Sequence, residues 1–288
     1  MTAELSLPAI PDRDAAQPLT LSRLIGGGLI RGRARSAANA SLNIEVVAEQ
    51  DEADSSIFSA PVDPGVLAPR RADPARPLRG VIADWGGVMT SPIIDTVTAW
   101  LTADGIDRNS YRTVMRAWVR QAYDTGTETT PIRALERGEC TEAEFEVQLA
   151  ERLIRLDGTP VIADGLLARM FAASRPDEEM HDLIRAARRA GLRTGLLSNS
   201  WGGGYPRHLF PELFDAVVIS SEVGMRKPED RIFRLAAEML GLEPEECVFI
   251  DDITDNVAAA QAAGLVGVHH RTARETAAQL TELLGIPL

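Results

Sequence analysis

The sequence predicts an α/β fold: a parallel β-sheet covered on both faces by helices, with a small all-α module inserted after the first strand of the sheet. Three observations carry this. Short apolar runs (81–83, 193–197, 216–219, 247–250 and 266–269) alternate with amphipathic helical stretches, the grammar of a buried parallel sheet. The first run stops at Asp84 and is followed by about 85 residues of helical periodicity. Regular βα alternation resumes only from Pro176.

Residues 1–76 differ from the rest. They mix Pro, Ala, Ser and Arg with charge clusters such as EQDEAD (49–54), and Phe58 is their one aromatic residue. A segment of that composition buries too little surface to offset its ordering entropy, so this N-terminal extension is expected to be disordered. Its stretch 19–35 could make a small basic amphipathic patch, but Gly26-Gly27-Gly28 argues against a helix there. The remainder, 77–288, reads as one domain, with a core of 77–90 and 176–288 and a helical cap of 91–175.

Within the insert, helices are expected over 92–103 and 108–123, with Trp100, Tyr111, Met115 and Trp118 at helical spacing. These aromatics read as core rather than ligand contacts. Thr141 followed by Glu144 is a capping-box signature opening a helix over 141–156, and another is expected over 161–173. Past the insert, 176–191 is a helix with Pro176 near its start, acids in its first turn and Gly191 beyond its end. The strand 193–197 leads into a glycine-rich loop, SWGGGYP. Then come the strand 216–219, a helix from Glu229 to Leu240, the strand 247–250, a helix from Asp255 to Ala263, the strand 266–269 and a C-terminal helix.

Composition excludes several classes. The 288 residues are 45% hydrophobic and 25% charged, enough for one or two ordinary cores. The formal charge of -12 argues against a nucleic-acid-binding body, so an anionic substrate needs a local positive site. Cys140 and Cys247 lie far apart with no CxxC spacing, as expected in a reducing compartment. No apolar run reaches the roughly 20 residues of a membrane span, and no secretory signal is evident. The expected location is the cytoplasm. Of 30 basic residues only Lys227 is lysine; Arg cannot replace a compact ammonium where one is required.

The strand ends carry the chemistry. The first ends at Asp84, the next at Ser198-Asn199, a loop after the third holds Arg226-Lys227-Pro228, and the fourth ends at Asp251-Asp252. In a parallel sheet these ends share the edge where ligands bind. Each alone has an ordinary explanation as a turn or helix cap; coincidence at four consecutive ends does not. Three clustered carboxylates repel unless a cation joins them, and hard oxygen ligands favour Mg2+. Lysine beside hydroxyl and amide donors makes an anion site. Metal, carboxylate nucleophile and anion clamp together imply phosphoryl transfer through an aspartyl-phosphate.

The set DWGGV, LLSNS, GMRKPEDRIF and FIDDITDNVAAAQAAG resembles the four ordered motifs of the haloacid dehalogenase (HAD) superfamily, over residues 78–288. It is most similar to the branch with a helical cap after the first motif, which includes the phosphatase domain of soluble epoxide hydrolases. The resemblance implies a Rossmann-like core with Asp84 as nucleophile and Ser198, with Asn199 beside it, binding phosphate. It further implies that Lys227 balances phosphoryl charge and orients the nucleophile. Asp84, Asp252 and the backbone carbonyl of Gly86 are the implied Mg2+ ligands, with Asp251 binding through water or as a weaker ligand and Asn256 in support.

One position departs from that pattern. Phosphatases of this superfamily usually carry a second Asp two residues after the nucleophile, where this chain has Gly86. A general acid worth about 10² to 10⁴ in rate is absent there. A phosphatase acting on a good leaving group, a 2-haloacid dehalogenase, and a non-catalytic binding or regulatory protein all remain open at this point. Oligomeric state is open too.

Overall fold

The structure, a computed structural model, describes residues 20–25, 28–33, 76–124 and 130–287, the side chains of 20–25, 28–33 and 120–124 excepted. The chain divides into two compact units, Met1–Glu52 and Ala53–Leu288. In the first, β1 (Thr20–Ile25) and β2 (Gly28–Arg33) pair antiparallel, with Ile25 opposite Gly28. Of the glycines that argue against a helix there, Gly28 is the first residue of β2. Elsewhere, the expectation of disorder for 1–76 falls outside the described residues up to position 75.

The second unit is built on five parallel strands: β3 (Gly80–Ala83), β4 (Arg193–Ser198), β5 (Ala216–Ile219), β6 (Cys247–Asp251) and β7 (Val266–His269). Their spatial order is β5-β4-β3-β6-β7. The chain therefore starts at the centre, winds outward through β4 and β5, and returns to the other side of β3. That reversal puts the topological switch point, where open α/β sheets bind ligands, beside the carboxyl end of β3.

Alternation along the strands covers both faces. Val81, Leu196, Val248 and Ile250 pack under α6 (Glu178–Arg189) and α11 (Ala273–Leu284). Past the single turns α7 (Phe210–Leu213) and α8 (Ser220–Val223), Ile82, Leu197 and Phe249 pack under α9 (Asp230–Met239) and α10 (Thr254–Ala262). A strand buried on both faces reads as the continuous apolar run seen in the sequence.

Between β3 and α6 lie α1 (Ile93–Ala103), α2 (Arg108–Asp124), α3 (Pro131–Glu136), α4 (Glu142–Ala150) and α5 (Leu166–Phe171). They close on a hydrophobic core of their own around Trp100, Tyr111, Met115, Trp118 and Phe145. The capping box at Thr141 and Glu144 forms as its spacing predicts. Two helices are shorter than periodicity suggests. After α4 the chain is drawn into an extended bridge between Ile106 and Arg155. The start of α5 is set by Glu146, whose buried carboxylate accepts from the N–H groups of Gly165 (3.2 Å) and Leu167 (2.8 Å). A carboxylate from a neighbouring helix thus does the work of an N-cap. No helix among the described residues is long and apolar enough to cross a membrane.

Candidate active site

Asp84 follows β3 directly, and its N–H donates to the carbonyl of Ile250 at 2.9 Å, continuing the ladder with β6 one residue beyond the strand. This pins a buried carboxylate at the switch point. Lys227 is 1% exposed, and its Nζ lies 2.8 Å from Asp84 Oδ1 and 2.6 Å from Asp251 Oδ2. A buried ammonium persists only with such partners. Burial pulls its pKa down, but Asp251 and Asp84 more than reverse this, and the net shift is upward.

The lysine is also held through its backbone. Asn199, just past β4, accepts from the Lys227 N–H at 2.8 Å and donates to its carbonyl at 3.0 Å. Asp251 is fully used: Oδ2 meets the ammonium, the Ile253 N–H donates to Oδ1 at 2.8 Å, and Asn256 Nδ2 lies 3.1 Å from both oxygens. Ser198 ends β4, and its hydroxyl is 2.9 Å from that of Tyr205.

Asp252 sits differently. Its carboxylate presses on the backbone of Gly87, where a Cβ would stand 2.3 Å from Oδ2. Gly87 has φ of +78°, so both space and conformation require glycine. Burial raises the Asp252 pKa to about 8, with Asp251 and Asp84 adding to the shift. Asp84 is raised to about 6, again chiefly by burial, against the opposing pull of Lys227. One carboxylate oxygen each of Asp84, Asp251 and Asp252 lies within 4.8 Å of the other two. With all three ionised, one ammonium leaves two negative charges in excess. A divalent cation balances that excess, and carboxylate oxygens are the donors such a cation prefers.

All eight sequence-predicted positions, Asp84, Gly86, Ser198, Asn199, Lys227, Asp251, Asp252 and Asn256, lie at or just beyond the carboxyl ends of β3, β4 and β6 or in the loop after β5. Gly86 is open to other residues in conformation, and a Cβ there would stand 3.0 Å from Cδ1 of Ile93 of α1, the end of a flexible side chain.

Sequence reasoning missed two residues. Tyr205, seven positions past Ser198, brings a phenol to its hydroxyl; burial raises its pKa to about 12, so at neutral pH it stays protonated and able to donate. Glu136, in a helix too short to show clear periodicity, accepts from Trp201 and Arg226. An aromatic residue in a glycine-rich loop was a usable signal for the first. The second had none. The glycine run 202–204 is tethered where the Gly203 N–H donates to Glu142 at 2.7 Å. Trp100, Tyr111 and Trp118 are buried in the core of the insert.

The family model for haloacid dehalogenase-like hydrolases matches residues 78–264. The chain belongs to that family. This HAD hydrolase is similar to the sesquiterpene phosphatase astK of Aspergillus oryzae, 26% identical over 72% of this chain and 97% of the relative. It is similar to acyl-CoA dehydrogenase family member 10 of mouse at 26% identity, over 74% of this chain and 20% of that protein. Phosphatase MT3486 of Mycobacterium tuberculosis is 32% identical over 49% of this chain and 62% of its own length. The HAD hydrolase thus spans about a fifth of the mouse protein and under two thirds of the mycobacterial one.

Proposed function

We propose that this HAD hydrolase is a Mg2+-dependent phosphatase that cleaves a small phosphomonoester through an aspartyl-phosphate on Asp84. The observation that carries the reading is the lysine bridge: a buried ammonium 2.8 Å from Asp84 and 2.6 Å from Asp251, with Asp252 beside them. Two relatives named as phosphatases support it. The excess negative charge favours a metal-using phosphatase over a dehalogenase that needs no cation.

In this reading Lys227 holds Asp84 Oδ1 and leaves the other oxygen to attack phosphorus. The P–O bond to the leaving alcohol breaks, and water then cleaves the acyl phosphate to return Asp84 and phosphate. Ser198, steadied by Tyr205, binds the phosphoryl oxygens. Asp84, Asp252 and the carbonyl of Gly86 would hold Mg2+, which neutralises charge on nucleophile and phosphoryl group. Asp251, with both oxygens engaged, serves mainly to fix Lys227. The insert, 91–175, acts as the cap over a core of 77–90 and 176–288. The negative overall charge favours a small metabolite over nucleic acid as substrate, and the cytoplasm is the location proposed for it.

Purified protein with Mg2+ is expected to release phosphate from members of a phosphomonoester panel, to lose the activity with chelator and to recover it on adding Mg2+. An inert panel would sink the reading, and halide release from 2-haloacids in chelator would replace it with the dehalogenase.

Gly86 predicts a preference for good leaving groups. In Gly86→Asp the Cβ meets only the flexible end of Ile93, so the new side chain can be accommodated by a small shift. Turnover of alkyl phosphates is expected to rise about tenfold or more relative to p-nitrophenyl phosphate, within the range of general-acid effects. An unchanged ratio in a correctly folded variant would mean another group already donates the proton.

A further inference from the structure

The carboxylate of Glu136 lies where α3 of the insert meets the core. It is 5% exposed, and both of its oxygens are used outside the insert. Oε1 accepts from the Trp201 indole at 3.0 Å, in the loop that follows Ser198-Asn199. Oε2 pairs with the Arg226 guanidinium, one residue before Lys227. One side chain of the insert therefore grips both core loops that carry the anion-binding and lysine groups, and Asn199 already ties those two loops together.

We propose that Glu136 is a positioning residue: by docking α3 onto Trp201 and Arg226 it couples closure of the insert to the placement of Lys227. A buried carboxylate stripped of these partners would be strongly unfavourable, so the contact tends to be either fully made or exposed to water. That makes it a two-position latch. The neighbouring pair Arg137–Glu229, at 2.5 Å, also links α3 to the core, but both side chains are more than a quarter exposed and such a pair contributes little. When the latch opens, Arg226 loses its anchor and the adjoining lysine loses a fixed backbone. Displacements of about 1 Å at such a group reduce rates by up to about 10².

The sequence supplies the probe. Lys227 is the only lysine among 288 residues, so an amine reagent reports on its accessibility with no competing side chain. The experiment measures acetylation of Lys227 by N-hydroxysuccinimidyl acetate, read by peptide mass, alongside kcat and KM. Four proteins are compared with the full-length wild type: Glu136→Gln, Arg226→Gln, the double variant, and Glu229→Gln as a control for general loosening of α3.

Glu136→Gln and Arg226→Gln are each expected to label about fivefold faster or more, as local opening becomes easier. Their kcat is expected to fall about tenfold, with KM within about threefold of wild type. The double variant should be no worse than the worse single one, the non-additivity of a shared contact, and Glu229→Gln should behave as wild type. Labelling of Glu136→Gln at the wild-type rate, or no faster than Glu229→Gln, overturns the proposal. The kinetic arm rests on the phosphatase reading, whereas the labelling arm does not. An inactive wild type would therefore defeat that reading while labelling still decided the latch.

Discussion

Replacing Asp84 by Asn is expected to abolish phosphate release, with kcat down by at least about 10⁴-fold, the scale of losing a covalent nucleophile. The amide keeps the shape of the carboxylate but offers no anionic oxygen to attack phosphorus. The second half of the prediction separates chemistry from folding. Burial outweighs Lys227 and raises the Asp84 pKa from 3.8 to about 6, so the folded protein holds this proton more tightly than the unfolded chain. A carboxyl raised in the folded state stabilises the fold at low pH, and that contribution is lost as pH rises through the folded value. Metal-free wild type should therefore lose Tm between about pH 4 and 7 relative to Asp84→Asn, which cannot ionise there. Measured together, phosphate release and thermal melting should show an inactive variant that is no less stable at neutral pH. Residual turnover above a hundredth of wild type would remove Asp84 from its proposed role.

Lys227→Met should fail in both respects. The methionine fills much the same volume but leaves Asp84, Asp251 and Asp252 clustered without a cation. Breaking a buried ion pair from one side costs about 3–5 kcal/mol. For a domain of this size that is a fall in Tm on the order of 10 °C. The net upward pKa shift of Lys227 has a consistent sign: its stabilisation is present below the ordinary lysine value of 10.5 and fades as pH rises above it. Added Mg2+ is expected to restore part of the lost Tm, because a second cation answers the same charge excess. Activity should not return with it, since Asp84 is then unoriented. Lys227→Arg should remain impaired, because the planar guanidinium cannot sit between two carboxylates as a point charge does. Wild-type Tm and kcat in Lys227→Met would contradict the ion-pair geometry outright.

Much of this was legible along the chain because it is local. The strand of Val81 to Ala83 ending at Asp84, the strand ending at Ser198 and the pair Asp251-Asp252 are contiguous, and a parallel sheet gathers such ends along one edge. The capping box at Thr141 is equally local. Helix lengths in the insert were less legible: α4 and α5 are bounded by Arg155 bridging to Ile106 and by Glu146 reaching Gly165, contacts that periodicity does not register.

What the sequence by itself determined is the fold class, the sheet edge at which the candidate site lies and the residues gathered there, with Gly86 as the departure. All of these follow from runs of a few residues whose burial and turn chemistry are set by their neighbours in the chain. Only the tertiary structure decided how those residues are used. It put Lys227 between Asp84 and Asp251, Tyr205 on Ser198, Ile93 against Gly86, and Glu136 on Trp201 and Arg226. Glu136 meets partners 65 and 90 residues away, and Lys227 lies 24 residues from Asp251. Over such separations no spacing rule selects one pairing among many, and close packing alone brings the groups together.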